Sequence, residues 1–208
     1  MKYTTLPNTD IQVSKICLGT MTFGQQNTEA EGHAQMDDAL EQGVNLFDTA
    51  EMYSVPARQE TYGSTERILG TWFQKTGNRD KVVLASKIAG PNPNFTYMRE
   101  KNDFSPASIQ YALDKSLERL QTDYIDLYQL HWPERKTNFF GQRGFKVQDD
   151  AWEDNIHAVL ETLNGFIQQG KIKHIGLSNE TPWGIMRFLE ESKYHNLTRI
   201  KTIQNPYS

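Results

Sequence analysis

A chain of 208 residues, 37% of them hydrophobic and 23% charged, is long enough for one large domain or two small ones and too apolar to be disordered. Its net charge of −4 offers no basic stripe for nucleic acid. No apolar run approaches the roughly 20 residues of a membrane span, and residues 1–5 carry no apolar segment of a secretion signal. The single cysteine, Cys17, excludes an intrachain disulfide, so a reducing, cytoplasmic setting is expected. Cys17 sits in an apolar run and is read as a packing residue rather than a nucleophile.

Strand-like runs at 2–5 and 11–13 flank Pro7-Asn8-Thr9-Asp10, turn formers that predict a small hairpin. A strand at 16–18 runs into the glycine turn Gly19-Thr20-Met21. Thr28 and Glu31 make a capping box that opens a helix bearing Met36, Ala39 and Leu40, and Gly43 stops it. The strand at 44–47 ends abruptly in Asp48, and Tyr53 follows in a loop that runs to Gly63. Ser64 is the expected cap of a helix carrying Ile68, Leu69, Trp72 and Phe73. A strand at 82–85 ends in Ser86-Lys87. A loop over 90–104 leads to Ser105-Pro106, a cap with proline at the first helical position, followed by Ile109, Leu113, Leu117 and Leu120 at helical spacing.

The strand at 124–130 delivers His131. A second long loop, 132–150, carries Gly141 and Gly144, and its Arg135, Lys136, Arg143 and Lys146 read as a solvated basic loop. Long loops of this kind are expected to shape a substrate pocket. A helix from about Trp152 is closed by Gly170, a strand at 172–177 ends in Ser178-Asn179, and Thr181-Pro182 opens another helix. The last strand, 200–203, ends in Gln204.

Strand and helix alternate over residues 1–208 with no break in composition, which predicts one α/β domain with parallel strands. An open doubly wound sheet and a (β/α) barrel both satisfy that pattern. The turn from Gly19 to Gly24 lacks the three-glycine dinucleotide fingerprint, which favours the barrel. So do the strand tips: Asp48, Lys87, His131, Asn179 and Gln204 each follow an apolar strand, and in a barrel those ends converge on one face.

Asp48, Tyr53, Lys87 and His131 on one face would form a proton-transfer set. A tyrosine titrates near 10, a nearby ammonium would lower that value, and Asp48 would compensate Lys87. His131 could donate to a substrate oxygen. Singly, each residue has a plainer reading: an exposed lysine, a packed histidine, a structural ion pair. No metal-ligand pattern is expected.

The sequence resembles the aldo-keto reductases. The resemblance rests on Gly19-Thr20-Met21-Thr22-Phe23-Gly24, Phe47-Asp48-Thr49-Ala50 with Tyr53, Gly63-Ser64 with Glu66, Ser86-Lys87, and Asp123-Tyr124-Ile125-Asp126-Leu127 with His131. It continues through Gly170-Lys171-Ile172, Gly176-Leu177-Ser178-Asn179 and Gln204-Asn205-Pro206-Tyr207-Ser208, and its loops and ending look most like the bacterial Tas-type branch, near the potassium-channel β-subunit-like proteins. The resemblance implies a (β/α)8 TIM barrel of which this chain supplies the hairpin and six units, the last two strands lying beyond residue 208. It further implies NADPH-dependent reduction of a small-molecule carbonyl, with Tyr53 as general acid, Asp48 and Lys87 tuning it and His131 orienting the carbonyl. Gly19, Thr20, Met21, Asp48, Ser178, Asn179 and Gln204 would hold the cofactor. A redox-sensing subunit with little turnover, or an inactive fragment, is the alternative.

Overall fold

The computed structural model describes residues 1–140, 142–144, 147 and 151–207. Gly141, Lys146 and Asp150 of the second long loop, and Ser208 at the end of the last motif, lie outside these. Strands β1 (Tyr3–Thr5) and β2 (Gln12–Ser14) form the antiparallel hairpin. Asn45 ties it to the following sheet, accepting from Ser14 N at 2.7 Å and donating to Gln12 O at 2.9 Å.

Six parallel strands follow: β3 (Cys17–Gly19), β4 (Leu46–Asp48), β5 (Val83–Ile88), β6 (Ile125–Leu130), β7 (Ile172–Ser178) and β8 (Thr202–Gln204). Between them run α1 (Glu29–Glu41), α2 (Ser64–Thr76), α3 (Pro106–Leu120), α4 (Ile156–Gln168) and α5 (Pro182–Tyr194). Each strand pairs with its neighbour in sequence. Parallel crossovers are right-handed, so an order that never reverses puts every helix on the same face of the sheet. The sheet therefore curls with its helices outside, as a partial (β/α)8 barrel, and a doubly wound sheet is excluded.

Alternation along the strands separates the two faces. Phe47, Leu84, Ile88, Tyr128, Leu130, Ile175 and Leu177 point outward into one core with Leu69 and Trp72 of α2, Ile109 and Leu113 of α3, and Val159, Leu160 and Leu163 of α4. Gly70 lets α2 approach α3 closely: a Cβ there would stand 2.2 Å from the carbonyl oxygen of Arg119. Arg79–Asp126 at 2.9 Å and Arg119–Glu66 at 2.7 Å are buried ion pairs in the outer layer, while Arg99–Glu51 at 2.6 Å and Arg135–Glu180 tie together the segments that follow the strands. Among the described residues no helix is long and apolar enough to cross a membrane.

Several local expectations shift. Gly63, with φ of 69°, takes the cap position of α2, because the incoming turn needs a left-handed residue. Ser64 is the first helical residue, and its hydroxyl donates to Phe23 O at 3.2 Å. The helix expected from Trp152 begins at Ile156, where Asp154 accepts from the first helical N–H at 3.1 Å. The Trp152 ring stays outside the helix, edge-on to Trp183. Cys17 is exposed rather than packed, because β3 is paired on one side only among the described residues.

Candidate active site

The inner face of the sheet is polar where its strands end. Asp48 is the last residue of β4 and Gln204 the last of β8. Lys87 lies one residue inside the end of β5, not past it, while His131 and Asn179 directly follow β6 and β7. Register aligns them: Lys87 stands opposite Gln129, Gln129 opposite Gly176, and Ser178 opposite Gln204. A side chain on Gly176 would meet Thr202 Oγ1 at 2.3 Å and Gln129 Cγ at 3.2 Å, so a glycine is what lets Gln129 lie across the floor.

The buried Lys87 ammonium donates to Asp48 Oδ2 at 2.6 Å and to the Thr49 carbonyl at 2.8 Å. Asp48 accepts further from Gln129 Nε2 at 3.3 Å and Gln204 Nε2 at 3.4 Å. A buried carboxylate facing an ammonium and two amides is fully compensated, as burial of charge requires. The loop after β4 folds Tyr53 back over this pair, with Lys87 Nζ 5.1 Å from the centre of its ring. The Tyr53–Ser54 and Val55–Pro56 peptide bonds are cis. Tyr53 Oη lies 3.4 Å from His131 Nε2.

Two protonation states follow from burial. Burial pushes the Tyr53 phenol above its ordinary value; Lys87 pulls it down, and Asp48 pushes it up. The expectation that the lysine lowers the phenol therefore holds for the direction of its own field but not for the net effect, because desolvation is the larger influence. His131 is driven well below the usual histidine range, by burial first and the Lys87 charge second, so its imidazole is neutral.

The other expected positions also gather here. Ser178 Oγ donates to Gln204 O at 3.0 Å and accepts from Asn179 Nδ2 at 3.1 Å; Asn179 Nδ2 also donates to His131 O at 2.9 Å. Asn179 holds this position in the left-handed region, with φ of 51°. Thr20 is buried and its hydroxyl donates to the Asp48 carbonyl at 2.8 Å, so it fixes the end of β4 against β3. Met21 is exposed beside it, and a Cβ on Gly19 would meet nothing within 4 Å. Hydroxyl and carboxamide groups that both donate and accept, beside an open wall at Gly19, suit a nicotinamide carboxamide. Among the described residues Gln129 is the one contact of Asp48 that the sequence reading left without a role; its signal was a lone amide inside an apolar strand, two residues before His131 and hence on the same face.

Fold and site together define a (β/α) barrel with a buried tyrosine–lysine–aspartate–histidine group at the C-terminal ends of its strands. Residues 15–208 match the family described as "Aldo/keto reductase family", and the chain belongs to that family. It is 49% identical to Protein tas of Escherichia coli (strain K12) over 209 residues, covering 100% of this chain and 60% of that protein. It is 37% identical to the uncharacterized oxidoreductase YrpG of Bacillus subtilis (strain 168), covering 100% of this chain and 58% of the relative. Among solved structures it superposes on the aldo-keto reductase AKR11C1 from Bacillus halodurans (holo form) with a TM-score of 0.73 at 31% identity, over 100% of this chain and 58% of that one. The chain thus spans about half to 60% of the length of the relatives it matches.

Proposed function

We propose that this chain carries the catalytic half of an aldehyde or ketone reductase that uses a reduced nicotinamide cofactor, NADPH by resemblance. The observation that supports it best is the Tyr53–His131 contact at 3.4 Å above a buried Lys87–Asp48 pair. When bound, the cofactor supplies the hydride. The residues of this chain do the rest. Neutral His131 and the Tyr53 hydroxyl present two polar groups to one carbonyl oxygen. Tyr53, held protonated by burial, gives its proton to that oxygen as negative charge develops there. Lys87 stabilises the phenolate left behind, and Asp48 keeps Lys87 in place. Tyr53 then regains a proton from solvent. Ser178, Asn179 and Gln204 would hold the carboxamide, with Gly19 and Met21 as the opposite wall and Thr20 supporting it from behind.

The test is multiple turnover. The natural protein containing this chain, given reduced nicotinamide cofactor and 4-nitrobenzaldehyde, should oxidise many equivalents of cofactor per site. A single slow equivalent with product retained would instead indicate a redox-sensing subunit, the reading that an intact site does not distinguish by itself.

A further inference from the structure

A second cluster of ligating side chains lies between α4 and α5. His157 projects from the first turn of α4, while Glu191 and His195 stand four residues apart at the end of α5. Glu191 Oε2 is 3.3 Å from His157 Nδ1 and 3.3 Å from His195 Nε2, and the three ligand atoms all lie within 4.8 Å of one another. Nitrogen and oxygen ligands at about 2.0–2.1 Å around a tetrahedral ion stand about 3.4 Å apart, so both measured separations already fit. The remaining valences are also arranged. Arg187 takes the other carboxylate oxygen, Oε1, at 2.7 Å and leaves Oε2 free to face the two imidazoles. Glu161 Oε1 lies 3.5 Å from Nε2 of His157, on the side of the ring away from Glu191, where a carboxylate orients a metal-bound histidine. The histidines are partly exposed, which leaves the fourth position to water.

We propose that His157, Glu191 and His195 bind one divalent transition-metal ion of the zinc class, clamping α4 to α5. Two imidazoles and one carboxylate favour zinc, cobalt, nickel or copper over magnesium or calcium, which prefer all-oxygen shells. None of the three ligands belongs to the reductase site proposed above.

The test is titration of the tag-free, chelator-treated natural protein containing this chain with zinc chloride, followed by calorimetry, and with cobalt chloride, followed by visible absorption. One ion per chain is expected, with a d–d spectrum of a nitrogen- and oxygen-ligated ion and no thiolate charge-transfer band. Zinc should raise the unfolding temperature, and magnesium should not. His157→Gln and His195→Gln should each abolish saturable binding, Glu161→Gln should weaken it by about tenfold or more, and Cys17→Ser should leave it intact. Because both histidines are at the surface, the variants should fold, which their unfolding curves in the absence of metal will report. No saturable zinc binding by the parent chain, binding that persists in both histidine variants, or binding lost with Cys17→Ser would each overturn the proposal.

Discussion

Tyr53 and His131 meet edge to face, with ring centroids 5.6 Å apart, planes at 81° and the phenol oxygen 3.4 Å from Nε2. Trp132 backs the imidazole at 4.9 Å. The two side chains come from loops after different strands, β4 and β6, with β5 and its Lys87 between them. Beneath the tyrosine, the Lys87 ammonium lies 5.1 Å from the centre of its ring and holds Asp48 at 2.6 Å. A proton donor fixed this way needs little reorganisation when charge develops on a substrate oxygen, and that is how a preorganised site lowers a barrier.

Replacing Tyr53 by phenylalanine removes the proton and keeps the ring. The reductase rate of the natural protein is expected to fall by about 10²–10⁴, with cofactor affinity, followed by fluorescence quenching, nearly unchanged. Reduction of 4-nitrobenzaldehyde by the variant at the parent rate would show that the proton comes from elsewhere.

The Lys87–Asp48 pair makes a different prediction because both groups are buried. Breaking one partner of such a pair typically costs about 3–5 kcal/mol. Lys87→Met should therefore lose activity and leave Asp48 to its two amides, Gln129 and Gln204. Asp48→Ala should destabilise more, since the ammonium keeps only the Thr49 carbonyl at 2.8 Å. In urea denaturation the double variant should recover part of the loss; strictly additive effects would mean that the two charges do not depend on each other.

The parts of this site legible in the sequence were those where a polar residue interrupts or ends an apolar strand. Asp48, Lys87, His131, Asn179 and Gln204 stand out for that reason, and the strict alternation of strand and helix gave the six parallel strands in order. Strand ends were legible only to a residue or two, because a ladder ends where its neighbour ends: β8 spans Thr202–Gln204, and Ile200 is buried ahead of it. The supports were not legible. Glu51 accepts from Arg99 at 2.6 Å and from Ala89 N at 2.7 Å, partners drawn from a loop 48 residues and a strand end 38 residues away. Nothing local in Glu51 announces that pairing; packing of the two loops creates it. The net elevation of the Tyr53 phenol was likewise out of reach, since it depends on how much water the folded site excludes.

His131 predicts a pH dependence of stability. Its folded value is well below the ordinary 6.5, with burial the first cause. Below about pH 6.5 the unfolded chain takes up a proton that the folded His131 refuses, so this contribution is intact above that pH and is lost as pH falls toward the folded value. The slope reaches at most about 1.4 kcal/mol per pH unit. His174, also lowered by burial and by Lys201, adds in the same direction. His131→Asn should remove about one proton's worth of the slope measured by urea midpoints between neutral and mildly acidic pH. A slope unchanged in the variant would mean that His131 is protonated in the folded chain.

The last prediction concerns the two ends of the sheet. Among the described residues β3 and β8 are each paired on one side only, so each offers a row of free N–H and C=O groups. Their apolar neighbours are uncovered as well: Ile16 is 62% exposed and Ile203 44%. A large aliphatic side chain left in water forgoes roughly 1.5–3 kcal/mol, against a domain stability of only about 5–15 kcal/mol. Residues 200–204 contain one lysine and no proline, so little discourages another strand from adding to β8. Expressed as residues 1–208, the chain is therefore expected to self-associate through these edges, with sedimentation velocity showing species that grow with concentration. Ile203→Lys, which puts a charge on the exposed edge, should shift the distribution toward monomer, whereas a lysine at the already exposed Tyr194 on α5 should not. A parent chain that sediments as a single monomer at all concentrations and unfolds in one sharp thermal transition would show that both edges are protected in solution.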